Sequence, residues 1–319
     1  MMMRPRSKIA WVVVVLLLAA GWLMLLNRPL AYDRHYDTHV AQPAYTNNGP
    51  VVLYDQAHRN VHKADGAYKP LIDMMRHDGY QVRVLEQPLS ASSLTGASVL
   101  AIVAAQGAND TNDMPAFKEA EITALDDWVK AGGSLLLITD HWPFGPAVVP
   151  LAQRFGVRVG TGLVEDETYH DAERGNSHLI FAEDNGLLKD HPVVRGRNDS
   201  ERVHRVLTFT GTSIQGPDGA VPFLELSESA IEYPPTPPTV DKKGGNVRVS
   251  MNYGDPVPTR GAQGITMEHG KGRIVILAEA GMLRAERGKK GMLVGMNVPG
   301  YDNRQLALNI MHWLSRVIQ

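Results

Sequence analysis

The chain has 319 residues, 44% of them hydrophobic and 21% charged, so its length and composition fit a folded protein of one large or two small domains. The formal net charge is −2, and four basic residues lie within residues 1–28, which leaves the remainder acidic. An acidic chain without a basic stripe is a poor binder of nucleic acid, so we predict no nucleic-acid partner. The absence of cysteine excludes disulfides, thiolate metal sites and a cysteine nucleophile.

The N-terminal segment contains a long apolar run. Ile9–Leu26 comprises 18 residues without a charged side chain, which at about 1.5 Å rise per residue nearly spans a hydrocarbon core of about 30 Å. Basic residues precede it, so the positive-inside rule predicts a transmembrane anchor over residues 1–28 with a cytoplasmic N-terminus. A cleaved signal peptide is the alternative, although Pro29–Ala31 is a poor cleavage site. The sequence predicts a single-pass inner-membrane protein with residues 9–26 in the bilayer and its domain in the periplasm or outside the cell.

Residues 29–48 lack clear periodicity and are predicted to form a linker. Beyond them, apolar runs alternate with helical patterns, and glycines follow the predicted helices. Strands that are apolar along their whole length predict a parallel sheet covered by helices on both faces. The predicted elements are strands over 50–54, 81–85, 98–105 and 134–139, and helices over 68–77 and 115–131.

The pattern changes between about residues 160 and 260, where short strand-like pieces are separated by loops. We interpret this region as an insertion rich in β-structure and loops, or as an antiparallel extension of the sheet. The first pattern then returns, with a strand over Gly272–Leu277 and a helix over Asn303–Val317 that has Asp302 as its N-cap. The sequence therefore predicts one α/β domain over residues 49–319.

Polar side chains follow four of the predicted strands, at the edge where parallel α/β sheets bind ligands. Carboxylates and imidazoles of this kind suit a catalytic or metal site, but Asp, His and Asn at strand ends also cap helices and close turns. We predict a ligand pocket here and assign no metal and no cofactor to it. The candidate residues are Asp55, His58, Gln106, Asp140, His141 and Glu279, with Gln56, Gly107, Asn109 and Asp110 beside them.

Four segments carry a family resemblance, namely Val51–His58, Glu121–Thr139, Gly270–Leu277 and Asp302–Leu314. They resemble the class I glutamine amidotransferase-like superfamily, in particular its uncharacterised bacterial members related to accessory domains of gliding-motility-type transporters. The resemblance implies a flavodoxin-like sheet. Amidotransferases of this superfamily use a cysteine nucleophile with a downstream His and Glu, and this chain has no cysteine. The resemblance therefore implies a domain without amidotransferase activity, and it assigns no catalytic residue.

Two functions of different classes remain open from the sequence. The first is a non-catalytic periplasmic domain that binds a small ligand or an envelope protein at the C-terminal edge of its sheet. The second is a hydrolase, dependent on a metal or on paired carboxylates, that acts on an envelope sugar or peptide. Convergence of the polar strand-end residues in one pocket would favour the second function.

Overall fold

The computed structural model describes residues 30–107, 114–142, 144–243, 246–288 and 291–319. The α-helices within these residues are α1 (Lys69–His77), α2 (Glu119–Lys130), α3 (Val149–Arg154), α4 (Pro192–Arg195) and α5 (Asn303–Leu314). The strands of the N-terminal part are β1 (Ala31–Tyr32), β2 (Val51–Asp55), β3 (Gln81–Leu85), β4 (Val99–Val103), β5 (Ser134–Ile138) and β6 (Arg158–Val159). The strands of the middle part are β7 (Leu163–Glu165), β8 (His170–Asp171), β9 (Gly175–Ala182), β10 (Arg205–Leu207), β11 (Ile214–Gln215), β12 (Val221–Glu225), β13 (Ile231–Tyr233), β14 (Pro235–Lys243), β15 (Asn246–Tyr253) and β16 (Val257–Pro258). The strands of the C-terminal part are β17 (Ala262–His269), β18 (Gly272–Leu277), β19 (Ala285–Arg287) and β20 (Leu293–Gly295).

Five parallel strands form one half of the main sheet, in the order β3-β2-β4-β5-β18. Helices α1 and α5 pack on one face of these strands, and α2 and α3 pack on the other. Each large apolar side chain buried in this way contributes about 1.5–3 kcal/mol, so packing on both faces holds the strands in place. Their carboxyl ends meet at one edge of the sheet, and that edge positions the candidate site.

The other half of the main sheet is antiparallel. Strand β17 pairs antiparallel with β18, β11 and β12 pair with β17, and β6 pairs with β11. Four smaller antiparallel sheets accompany it among the described residues. The prediction of a flavodoxin-like, mostly parallel sheet with a transmembrane helix is therefore wrong. The apolar pattern alone could not reveal the strand direction, because a strand that is buried on both faces has the same pattern either way.

A two-residue turn starts the antiparallel half. His269 pairs with Gly272 across the β17–β18 hairpin, which leaves Gly270 and Lys271 as the loop. Gly270 has φ 61°, a left-handed conformation that glycine adopts without steric cost and that two-residue hairpin turns require. The turn therefore reverses the chain directly beside the last parallel strand.

The prediction of a membrane anchor is also corrected. Residues 9–26 lie outside the described residues, and no helix in the described part of the chain is long and apolar enough to cross a membrane. Helices α2 and α5 have 12 residues each, which at about 1.5 Å per residue is well short of a bilayer core. The predictions of a transmembrane helix, a signal anchor, a membrane partner and a single-pass inner-membrane location are corrected accordingly.

Residues 30–48, predicted to form a linker, pack against the domain. Strand β1 pairs with β19, and the buried carboxylate of Asp33 forms an ion pair of 3.0 Å with Arg287. Further along, the backbone N–H of Ala44 donates to Oδ1 of Asp78 at 2.7 Å. These contacts fix the segment to the C-terminal part of the fold and to the end of α1.

Two helix starts differ from the predicted pattern. Helix α2 begins at Glu119 rather than Pro115. Asp302 makes no side-chain cap to α5, and its carboxylate instead accepts the backbone N–H groups of His204 at 2.8 Å and Arg205 at 3.1 Å. Asp302 therefore links the start of α5 to the start of β10 and does not cap the helix.

Candidate binding site

A chain of carboxylate, imidazole and carboxylate lies beyond the end of β2. Nδ1 of His58 lies 2.9 Å from Oδ1 of Asp55, and Nε2 of His58 lies 2.9 Å from Oε1 of Glu121. Asn60 donates from Nδ2 to Oδ2 of Asp55 at 2.9 Å, and the ring of Phe117 lies 4.2 Å from the imidazole. All of these side chains are buried. We call Asp55, His58, Asn60 and Glu121 the His58 cluster.

The charges of the His58 cluster stabilise one another. Burial disfavours the imidazolium, but hydrogen bonds and charges from Asp55 and Glu121 outweigh it and raise the pKa of His58. Burial alone would raise the pKa of Glu121, yet hydrogen bonds from His58 and two backbone N–H groups lower it. Both ring nitrogens of His58 are engaged, so neither is free to exchange a proton with a ligand. The cluster is best explained as support for the turn after β2.

The turn after β2 is tied to the end of β4 and carries backbone strain. The N–H of Gln106 donates to the carbonyl oxygen of His58 at 3.0 Å, and Nη1 of Arg59 donates to that of Gly107 at 2.8 Å. Arg59 and Ala104 have φ values of 50° and 43°, which side chains other than glycine rarely adopt. Such strain persists only where the surrounding structure holds it, often beside functional sites. The His58 cluster therefore helps to fix this edge of the sheet.

Two carboxyl groups lie side by side where β5 and β18 end. Ile138 pairs with Leu277 across these parallel strands, so Asp140 and Glu279 occupy equivalent positions two residues later. Side chains alternate between the faces of a sheet, so both groups lie on the same face. Oδ2 of Asp140 accepts the backbone N–H of Ala280 at 3.1 Å, which keeps the two strand ends together. Glu279 is fully buried, whereas Asp140 is 9% exposed.

The environment of this pair favours protonated carboxyl groups. Burial, followed by the charge of Glu279, raises the pKa of Asp140 well above its usual range. Burial raises the pKa of Glu279 to about 7, although Arg284 and the backbone N–H groups of Gly281 and Met282 favour its ionised form. Two acids this close titrate as a pair. The pair therefore holds its protons to higher pH than ordinary carboxyl groups do.

His141 and Tyr253 lie on the more exposed side of the pair. Nδ1 of His141 is 2.6 Å from the carbonyl oxygen of Trp142, so this nitrogen carries the hydrogen and Nε2 of the neutral ring is an acceptor. Nε2 lies 3.7 Å from Oδ1 of Asp140, and burial lowers the pKa of His141. The hydroxyl of Tyr253 lies 3.0 Å from Nδ1 of His141. We call Asp140, His141, Tyr253 and Glu279 the Asp140 cluster.

Arg284 is the cation beside the Asp140 cluster, and it serves several acids. Its Nη1 lies 2.9 Å from Oε2 of Glu286, a buried carboxyl whose pKa is raised by burial. Its charge also favours the ionised forms of Asp140 and Glu279. Burial and then Arg284 lower the pKa of nearby His62 to about 4, so that ring is neutral. One guanidinium therefore serves three buried acids, and burial raises the pKa of each of them.

The predicted site residues fall into two groups rather than one pocket. Asp55 and His58 belong to the His58 cluster, which the backbone of Gln106 joins, and the other three belong to the Asp140 cluster. No hydrogen bond or ion pair links the two clusters within the residues described. Asn109 and Asp110 lie outside the described residues. Among the residues that the structure describes, no group of three or more His, Asp or Glu side chains is arranged to hold a metal ion.

Sequence reasoning misses several members of these clusters. Glu121 lies 63 residues from His58 along the chain. In the sequence it cannot be told from any other polar residue of helix α2. Tyr253 ends β15, in a region without a strong pattern. Asn60 could have been found, because an Asn shortly after the end of a strand often closes a turn. The contacts of Glu121 and Tyr253 depend on tertiary structure and leave no local signal.

Comparison with known proteins finds no matching family model and no matching curated protein. Among solved structures, the mmIFT52 N-terminal domain is 12% identical, with a TM-score of 0.59 over 83% of this chain and 97% of that chain. The cytoplasmic protein STM3548 from Salmonella typhimurium is 14% identical, with a TM-score of 0.47 over 83% and 98% of the two chains. A ThuA-like protein from Bacteroides uniformis is 12% identical, with a TM-score of 0.39 over 88% and 95%. The first similarity indicates a shared fold, and the two lower scores support no inference.

Proposed function

We propose that this chain is a non-catalytic binding domain that holds a small ligand at the C-terminal edge of its parallel strands, over the Asp140 cluster. The single observation that carries the proposal is the Asp140–Glu279 pair, two buried carboxyl groups at matched ends of neighbouring strands. Burying two acids together is costly, so the fold must retain them for a reason other than stability. Asp140, which is 9% exposed, provides together with His141 and Tyr253 the polar groups that a ligand would meet.

The proposal includes membership of the class I glutamine amidotransferase-like superfamily without its activity. The support is the set of segments Val51–His58, Glu121–Thr139, Gly270–Leu277 and Asp302–Leu314, together with the absence of cysteine. A domain of this kind should release no ammonia from glutamine, because no thiolate is available to attack the amide.

A thermal-shift screen of the full chain tests the binding proposal. The compounds are sugars, amino acids, nucleosides and dicarboxylic acids, each measured with the native chain, Asp140→Ala and Asp184→Asn. Asp184 is exposed and far from the cluster in sequence, so its variant controls for the loss of one acidic group. We expect at least one compound to raise the Tm of the native chain and of Asp184→Asn but not of Asp140→Ala. The proposal would be contradicted if no compound raised the Tm of the native chain, or if every active compound raised the Tm of all three proteins equally.

A carboxylate-dependent hydrolase is the second candidate function. The observation that favours it is the raised pKa of Asp140, which burial and the neighbouring Glu279 produce, because a carboxylic acid that stays protonated at neutral pH can act as a general acid. Incubation of the full chain with chromogenic glycosides and peptides tests it. Turnover that Asp140→Asn abolishes and Asp184→Asn leaves unchanged would favour the hydrolase over the binding domain.

A further inference from the structure

A cavity of about 410 Å³ lies at the opposite end of the parallel strands from the Asp140 cluster. Arg273, at the start of β18, lines this cavity, and an extended chain from Arg273 to Glu279 spans roughly 20 Å. The volume is in the range of pockets that hold small ligands. We propose that the cavity binds a free α-amino acid with an apolar side chain, its carboxylate on Arg273 and its ammonium group on Glu268. This second site does not depend on the proposed function.

Arg273 is a cation that is only 5% exposed and that pairs with no carboxylate among the described residues. Its Nη1 donates to the carbonyl oxygens of Trp313 at 2.8 Å and Ile318 at 2.9 Å. Its Nη2 donates to Oε1 of Gln319 at 2.7 Å, which leaves the second N–H of Nη2, and the buried N–H of Nε has no partner in the described structure. A carboxylate can accept two such N–H groups at once and supplies the missing counter-charge.

Glu268 lies directly opposite Arg273 in the β17–β18 hairpin, so the two side chains start on the same face with Cβ atoms about 4.5–5.5 Å apart. Opposite charges at such positions ordinarily form a cross-strand ion pair. Arg273 instead turns toward the end of α5, and the exposed side chain of Glu268 makes no hydrogen bond or ion pair with any described residue. Both residues line the cavity. Two opposite charges that face one cavity without meeting match a ligand that carries both charges, as an α-amino acid does.

The other charges around the cavity favour a zwitterion over a simple anion. Burial, followed by the charge of exposed Arg316, lowers the pKa of Arg273, and Glu268 opposes this change. A carboxylate on Arg273 would therefore stabilise its charged form. Asp218 is exposed and also lines the cavity, so an anion without an ammonium group would meet two carboxylates there. His191 adds no positive charge, because burial lowers its pKa to about 4.

The rest of the cavity wall favours an apolar side chain on the ligand. Val221 is a large apolar residue that is 42% exposed at the cavity, and the ring of Trp313 lies 4.9 Å from the guanidinium carbon of Arg273. The polar groups of His191 and Thr266 already pair with each other, with Nε2 and Oγ1 2.9 Å apart. An apolar side chain can therefore cover Val221 without leaving a polar group of the wall unpaired. Leucine and phenylalanine are ligands of this kind.

Isothermal titration calorimetry of the full chain at neutral pH tests the ligand class with matched probes. The probes are L-leucine and L-phenylalanine, with 4-methylpentanoate as leucine without its ammonium group and 3-methylbutylamine as leucine without its carboxylate. We expect at least one amino acid to bind, and both leucine analogues to bind about tenfold more weakly than leucine, because each lacks one charge-assisted interaction. Binding of 4-methylpentanoate as tightly as leucine would overturn the zwitterion. Failure of both amino acids to bind would overturn the site and leave Arg273 as a tie to the end of α5.

Variants of the full chain locate the bound amino acid. Glu268→Gln, at an exposed position, should bind it about tenfold more weakly and lose the preference over 4-methylpentanoate, whereas Glu228→Gln, an exposed control outside the cavity, should bind like the native chain. Arg273→Lys keeps the charge but not the paired N–H groups, so it should also bind more weakly, with circular dichroism to check its fold. Unchanged affinity in Glu268→Gln would overturn the inference. Binding that Asp140→Ala abolishes would also overturn it, and would assign the amino acid to the site of the proposed function instead.

Discussion

The His58 cluster and the Asp140 cluster are built from the same materials at the same edge of the sheet, yet their charges are arranged in opposite ways. In the first, one imidazolium lies between two carboxylates and satisfies both. In the second, His141 is neutral, two acids face each other, and the nearest cation is shared with Glu286. A complete set of partners makes the first cluster a support, while the incomplete set makes the second cluster suitable for a ligand.

The largest effect that we expect is a loss of stability in His58→Ala, which removes the cation of the His58 cluster. Removing the imidazolium leaves Asp55 and Glu121 buried without their counter-charge, which costs about 3–5 kcal/mol for a buried pair. Urea denaturation monitored by circular dichroism measures the free energy of unfolding. His204→Ala is the matched control, because His204 also pairs with a carboxylate, Glu183, but at the surface, where little stability is at stake. Equal losses in both variants would mean that the His58 cluster gives no special support.

An intermediate effect is expected in the pH dependence of stability, through Glu279. Its folded-state pKa of about 7 lies above the ordinary value of 4.5, so the folded state binds more protons than the unfolded state between these values. The stability due to this group is complete below about pH 4.5 and is lost as the pH rises to about 7. In Glu279→Gln, the free energy of unfolding should fall less across this window than in the native chain. Parallel curves for the two proteins would show that Glu279 is not protonated as the pair requires.

The smallest effect is expected for Tyr253→Phe. The phenol hydroxyl lies 3.0 Å from Nδ1 of His141 and 3.4 Å from the carbonyl oxygen of Trp142, and one such hydrogen bond contributes about 0.5–1.5 kcal/mol. The variant should therefore lose at most this amount in thermal unfolding while binding a ligand of the Asp140 cluster more weakly. Unchanged affinity would remove Tyr253 from the ligand-facing surface.

Part of this arrangement could be predicted from the sequence, for physical reasons that particular residues illustrate. The proximity of Asp140 and Glu279 follows from two apolar strands that end at the same edge, once both are taken as parallel. The tie between Asp55 and His58 is local, only three residues apart along the chain. The apolar pattern of β17 could not give its direction, because a strand that is buried on both faces has no directional pattern. The Gly270–Lys271 turn could have given it, because two residues can join only antiparallel strands. Glu121 and Tyr253 could not be found either, because distant elements bring them to the sites.

A carbon-13 NMR titration of the side-chain carboxyl groups tests the contrast between the two clusters most directly. Glu121 should titrate below the usual range for glutamate, because hydrogen bonds from His58 and the backbone outweigh its burial and lower its pKa. Asp140 should titrate well above the range for aspartate, because burial and then the charge of Glu279 raise its pKa. Glu279 should titrate at about 7, because burial raises its pKa. Titration of Asp140 and Glu279 at or below their ordinary values, in step with Glu121, would contradict the account.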